Sequence, residues 1–152
     1  MSFNCQIENR EPQPVLAVRT RTGVGNLQQE MGRAFGMIAG YLGEIGEYPA
    51  GAPYAAYYNM DMQDLDLEIG FPVARELPGK GAINPGQIPG GKVATCMHTG
   101  PYGEVGPAFE ALMEYVKAEG CEATGVAYEM YLNDPQEVPE AELQTLVMFL
   151  LK

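Results

Sequence analysis

Apolar positions along the 152-residue chain switch between a period of two and a period of 3.6, and the switches mark its elements. Val15 to Thr22 (VLAVRTRT) predicts a strand, closed by the turn-forming run Gly23 to Asn26. Leu27, Met31, Ala34, Phe35, Ile38, Leu42 and Ile45 then recur at helical spacing, with Asn26 as the expected N-cap. GEYPAGAP stops that helix. Two strands are expected next, Tyr54 to Met60 and Leu65 to Val73, the second with Leu65, Leu67, Ile69, Phe71 and Val73 on one face.

Glu76 to Gly91 is rich in Gly and Pro and reads as a linker without regular structure. After it the order repeats. Lys92 to His98 predicts a strand, and TGPYG turns into a helix with Val105, Ala108, Phe109, Leu112 and Val116 on one face. Pro107 falls in the first turns, where proline is tolerated. Gly125 to Leu132 and Glu142 to Leu151 supply two more strands. Thr22-Gly23 before the first helix matches Thr99-Gly100 before the second, and a tyrosine cluster follows each helix. The expectation is an α+β fold: a βαββ unit written twice in a single domain, residues 1–152. The repeats span about residues 5–75 and 92–152, related by pseudo-twofold symmetry, with an antiparallel sheet, two main helices and a central ligand groove. The groove is expected where the halves meet or between the helices, since ligand sites favour such places.

One residue departs from this pattern. Glu129 stands between Tyr128 and Tyr131 in an otherwise apolar and aromatic strand, where a carboxylate costs free energy unless something pairs with it. Two readings fit: a carboxylate in an aromatic pocket that pairs with a cationic ligand, or a hydrogen-bonded strand glutamate facing water. Tyr102 lies in a turn at the mouth of a helix, where function gathers. His98, the only histidine, is a conceivable general base or a hydrogen-bonded structural residue. Ser2 is the only serine, so a serine triad is excluded.

Other clusters read as structural. Gly32, Gly36 and Gly40 leave one stripe of the first helix bare, which predicts close packing of another element against it, with room for a ligand as the alternative. Asp61, Asp64, Asp66 and Glu68 lack the spacing of a calcium loop; Asp66 and Glu68 fall opposite the apolar strand face, predicting a solvated surface. GKGAIN is not a phosphate loop. Neither a metal site nor a cofactor is expected.

Composition narrows the function classes. With 46% hydrophobic and 19% charged residues the chain suits a globular domain with a sizeable core. A formal charge of −11 argues against phosphate neutralisation, so no nucleic acid is expected as a partner, and a cationic partner fits better. No signal-like start or membrane span is evident, which predicts a cytoplasmic protein. Cys5, Cys96 and Cys121, far apart in sequence, are expected to be reduced thiols.

The motifs GAP at Gly51 to Pro53 with Tyr57, DLEIGFPV at Asp66 to Val73, ELPGKGA at Glu76 to Ala82, HTGPY at His98 to Tyr102, YEMYLNDP at Tyr128 to Pro135 and ELQT at Glu142 to Thr145 span the chain. Together they resemble a stand-alone gyrase-inhibitor-like (GyrI-like) small-molecule-binding domain, also found as the effector domain of AraC-type and MerR-type multidrug regulators. The resemblance implies a groove for bulky, planar, often cationic compounds, with Glu129 as charge partner. Tyr102, Tyr131 and Tyr57 match aromatic lining positions, and Phe71 and His98 complete the candidate lining. Some similar stand-alone members hydrolyse strained, cyclopropane-containing natural products with the same glutamate, so hydrolysis by Glu129 is the alternative activity. A third expectation is a module that acts on a topoisomerase through its acidic surface. LPGKGA departs from the paired glycines common in the family, which affects loop contacts.

Overall fold

The computed structural model describes residues 3–152. The elements are β1 (Cys5–Arg10), β2 (Gln13–Thr22), α1 (Leu27–Glu44), β3 (Tyr54–Tyr57), β4 (Leu65–Pro72), β5 (Asn84–Ile88), β6 (Gly91–Thr99), α2 (Gly106–Ala118), β7 (Ala123–Tyr131) and β8 (Gln144–Leu151). This is an α+β fold in which every assigned strand pair is antiparallel. The chain divides into two compact units, residues 12–89 and residues 1–11 with 90–152.

In the unit of residues 12–89 the strand order is β3-β4-β2-β5. Leu16, Val18 and Thr20 on β2 pair with Phe71, Ile69 and Leu67 on β4, and directly opposed residues share a face. That face carries α1, whose Phe35 meets Phe71 edge-on with ring centroids 5.4 Å apart. Ala34, Ile38, Tyr41 and Leu42 form the helix's buried stripe, as the 3.6-residue spacing predicts. Asn26 occupies the N-cap position, yet its side chain makes no capping bond. The glycine stripe also departs from expectation. A Cβ at Gly32, Gly36 or Gly40 would meet nothing within 4 Å among the described residues, so none of their elements packs closely on it.

The other unit has the order β1-β6-β8-β7. Ala94 and Cys96 on β6, Val147 and Phe149 on β8 and Ala127 on β7 form one core with Ala108, Leu112 and Val116 of α2. Burial of Cys96 pushes its thiol up to about 12, so it stays protonated, and all three cysteines are free. The two helices end alike. The Glu47 amide reaches back to the Leu42 carbonyl at 2.9 Å and the Cys121 amide to the Val116 carbonyl at 3.0 Å. Gly46 and Gly120 stand between with φ of 71° each, a left-handed exit that glycine adopts without strain.

Two strands depart from the sequence reading. The segment expected to be an irregular linker carries β5, an edge strand paired with β2; its Pro85 is tolerated because an edge strand need not donate on both sides. Cys5 to Arg10, expected within the first repeat, instead forms β1 and pairs with β6 of the second. Each unit thus takes its outer strand from the chain segment preceding the other unit's helix-bearing strand. Strand β3 is also shorter than Tyr54 to Met60, and all four of its residues are buried.

Among the described residues no helix is long and apolar enough to cross a membrane. None of them form a group of three or more side chains suited to a metal.

Candidate functional site

Register assembles the site on the α2 face of its sheet. Glu129 opposes Val147, Tyr131 opposes Thr145, and His98 opposes the same Thr145 from the other side. These side chains therefore continue, one step and then two beyond Ala127 and Phe149, the face whose inner part is the α2 core. The core ends at Glu129. Polar and aromatic groups take over there.

Glu129 is half-buried, and the Tyr131 hydroxyl donates to its Oε1 at 2.8 Å. The bond fixes the orientation of the carboxyl group. Tyr102, from a short 3-10 turn at Tyr102–Glu104, sets its ring edge-on to Tyr131 with centroids 5.3 Å apart and planes at 67°. Burial, with a smaller part from the Asp134 carboxylate, holds the Tyr102 phenol above its ordinary range, so it remains a protonated donor at neutral pH.

His98 is 6% exposed, and its Nε2 lies 2.9 Å from the Pro101 carbonyl. A carbonyl only accepts, so Nε2 carries the proton in that bond. The contact ties the end of β6 to the turn that presents Tyr102. Gly100 completes the tie, with φ of 133°, its amide donating to the Leu143 carbonyl at 2.7 Å, and space where a Cβ would lie 3.7 Å from the imidazole.

Glu129, Tyr131, Tyr102 and His98 thus gather in one unit. Tyr57 and Phe71 belong to the other. Tyr57 is buried on β3 opposite Leu67, while half-buried Phe71 packs on Phe35 of α1. The two registers correspond: Leu67 pairs with Thr20 and Tyr57, as Thr145 pairs with His98 and Tyr131. By the same correspondence Ala55, opposite Ile69, stands where Glu129 stands opposite Val147. The tyrosine is duplicated and the acid is not.

Two polar features were not foreseen in the sequence. Thr145 is 1% exposed, and its hydroxyl has no hydrogen-bond partner among the described residues. In the other unit, buried Tyr54 donates to Glu68 Oε2 at 2.6 Å. Glu68 and Asp66 do lie opposite the apolar face, but they are not simply solvated. Asp66 takes two bonds from Arg19, at 2.7 and 2.9 Å, and Arg21 binds Asp64. Arg19 also lies 3.8 Å over the Tyr58 ring. Paired to arginines, Asp64 and Asp66 form a structural ladder. A shallow hollow of about 390 Å³, lined by Phe3, Cys5, Glu114, Tyr115 and neighbours, lies between the start of β1 and the later turns of α2 and contains none of the predicted site residues.

The sequence model of the GyrI-like small molecule binding domain matches residues 3–152. No functionally curated protein matches the sequence. Among solved structures, EcmrR in complex with DNA aligns with a TM-score of 0.86 at 18% identity, over 99% of this chain and 57% of that one. The chain therefore spans little more than half of EcmrR; against the isolated EcmrR C-terminal domain it covers 100% of itself and 99% of that chain, with a TM-score of 0.77 at 19% identity. A hydrolase from Listeria innocua aligns with a TM-score of 0.70 at 13% identity, over 97% of this chain and 91% of that one. SAV2435 bound to tetraphenylphosphonium aligns with a TM-score of 0.61 at 11% identity, over 100% and 94%. At such identities these likenesses concern the fold.

Proposed function

The chain belongs to the GyrI-like family of small-molecule-binding domains, and from that premise we propose that its ligands are bulky, hydrophobic and preferably cationic aromatic compounds, with Glu129 as the charge partner. The observation that carries this reading is the Glu129 carboxylate, half-buried at the edge of an apolar core and oriented by Tyr131, beside the ring pair of Tyr131 and Tyr102. A carboxylate so held meets a cation with its orientation already fixed, and tyrosine faces add cation–π attraction of about 0.5–2 kcal/mol. Burying roughly 200 Å² of apolar ligand surface contributes about 5 kcal/mol before ordering costs. The tetraphenylphosphonium bound to SAV2435 is a ligand of this class on a similar fold.

In this reading the domain captures xenobiotics of this class in the cytoplasm and does not itself contact nucleic acid. EcmrR in the DNA complex is a longer chain, of which this one covers 57%, and a net charge of −11 opposes approach to phosphates. The test is calorimetric titration of Glu129→Gln with a lipophilic cation and with a neutral analogue of the same shape. The substitution weakens the cation strongly and the neutral compound little; equal losses would contradict the charge pairing.

A second reading uses the same group. A carboxylate positioned by Tyr131, whose ring meets that of the protonated phenol Tyr102, supports acid–base hydrolysis of a strained electrophile, with Glu129 activating water. Mass spectrometry of a cyclopropane electrophile incubated with the protein tests it: product formed by wild type and not by Glu129→Gln supports hydrolysis, and no product above buffer rejects it.

A further inference from the structure

We infer that the Thr145 hydroxyl is a ligand-reading group, one that takes a hydrogen bond from the N–H of a protonated amine whose charge Glu129 balances. The inference deepens the proposal of Glu129 as charge partner and rests on it.

One buried hydroxyl lacks a hydrogen bond among the described residues. Buried hydroxyls are hydrogen-bonded in the large majority of cases, and one left without a partner costs free energy. Thr145 Oγ1 is fully buried and has no partner among the described residues. Its cross-strand neighbours do not serve it, because the Tyr131 hydroxyl is given to Glu129 at 2.8 Å and His98 Nε2 to the Pro101 carbonyl at 2.9 Å. Packing does not require a hydroxyl there either. The corresponding position in the other unit, flanked by Thr20 and Tyr57, is Leu67, which is fully buried. Valine would fill the Thr145 site with the same shape and without the cost.

What distinguishes Thr145 from Leu67 is the acid beside it. Register puts Thr145 on the face of Glu129, one strand away and one step along. A primary ammonium has three N–H donors, so it can meet the carboxylate and the hydroxyl oxygen together. A quaternary cation has none and is read by Glu129 alone. The oxygen is closed to solvent, so a ligand reaches it by displacing a side chain; the movement is assigned to the half-buried Tyr102 ring, which is carried on a turn and meets edge-on the Tyr131 that opposes Thr145.

The experiment measures affinities of a primary arylalkylammonium and its N,N,N-trimethyl counterpart for wild type, Thr145→Val, Thr145→Ser and Glu129→Gln. The primary-to-quaternary affinity ratio falls about tenfold in Thr145→Val, the size of one hydrogen bond to a charged group, and recovers in Thr145→Ser. An unchanged ratio overturns the inference. Chemical denaturation of the free protein gives the second readout. The Thr145→Val midpoint rises, since an unserved hydroxyl has been removed; a fall would mean that the hydroxyl has a partner in the free protein and would also overturn the inference. Glu129→Gln separates the two claims: weakening of both cations supports the charge pairing whatever the ratio does, and unchanged affinity for both rejects it.

Discussion

The Tyr131 hydroxyl donates to Glu129 Oε1 across 2.8 Å, from two residues along the same strand face. Alternation alone sets that pairing, because positions two apart on a strand point the same way. It joins the acid and the aromatic ring that the proposed function needs, and places both where the α2 core gives out.

Tyr131→Phe removes the donor and keeps the ring. We expect a stability loss of about 1 kcal/mol by urea denaturation, the ordinary worth of one hydrogen bond. Affinity for a lipophilic cation falls several-fold, less than in Glu129→Gln, because the charge remains while its orientation loosens.

Gly70 tests the buried wall of the other unit. A Cβ there would lie 2.7 Å from the Leu16 carbonyl oxygen and 2.9 Å from the Tyr54 hydroxyl, and the backbone contact cannot swing away. Gly70→Ala should destabilise by about 1–3 kcal/mol, read from the denaturation midpoint.

The arginine ladder sets part of the acid response. Hydrogen bonding to Arg19 holds the Asp66 carboxyl below its ordinary value of 3.8, and Arg33 together with Thr20 holds Glu30 below 4.5. A depressed folded-state value means that the stabilisation is present above the unfolded value and is lost as pH falls through the folded one. Stability measured against pH should therefore drop below about pH 4, and Asp66→Asn should flatten that drop while lowering stability at pH 7. An unchanged slope would show that the ladder does not couple to folding.

The elements legible in the sequence were those with one buried face. Leu27 to Glu44 and Leu65 to Pro72 carry clean helical and strand periods because one side of each packs as an apolar face, while the other is largely exposed on the helix and carries Asp66 and Glu68 on the strand. Strand β5, NPGQI, is exposed at four of five positions and so writes no alternation; its Asn-Pro-Gly reads as a turn, and only pairing with β2 makes it a strand. Cys5 to Arg10 has partners about ninety residues away, a separation that local pattern does not encode. Glu129 was visible as a charge out of place. Thr145 was not, since threonine fits any strand by shape, and its isolation exists only once Tyr131 and His98 are seen to spend their hydrogen bonds elsewhere.

The most direct measurement of the central claim is a crystal structure with tetraphenylarsonium, a lipophilic cation whose arsenic is located by anomalous scattering. The account predicts an arsenic peak beside the Glu129 carboxylate, with a phenyl ring of the ligand against Tyr102 or Tyr131 and the cation within about 6 Å of a tyrosine ring. A peak in the hollow lined by Phe3 and Tyr115, with no density beside Glu129, would contradict it.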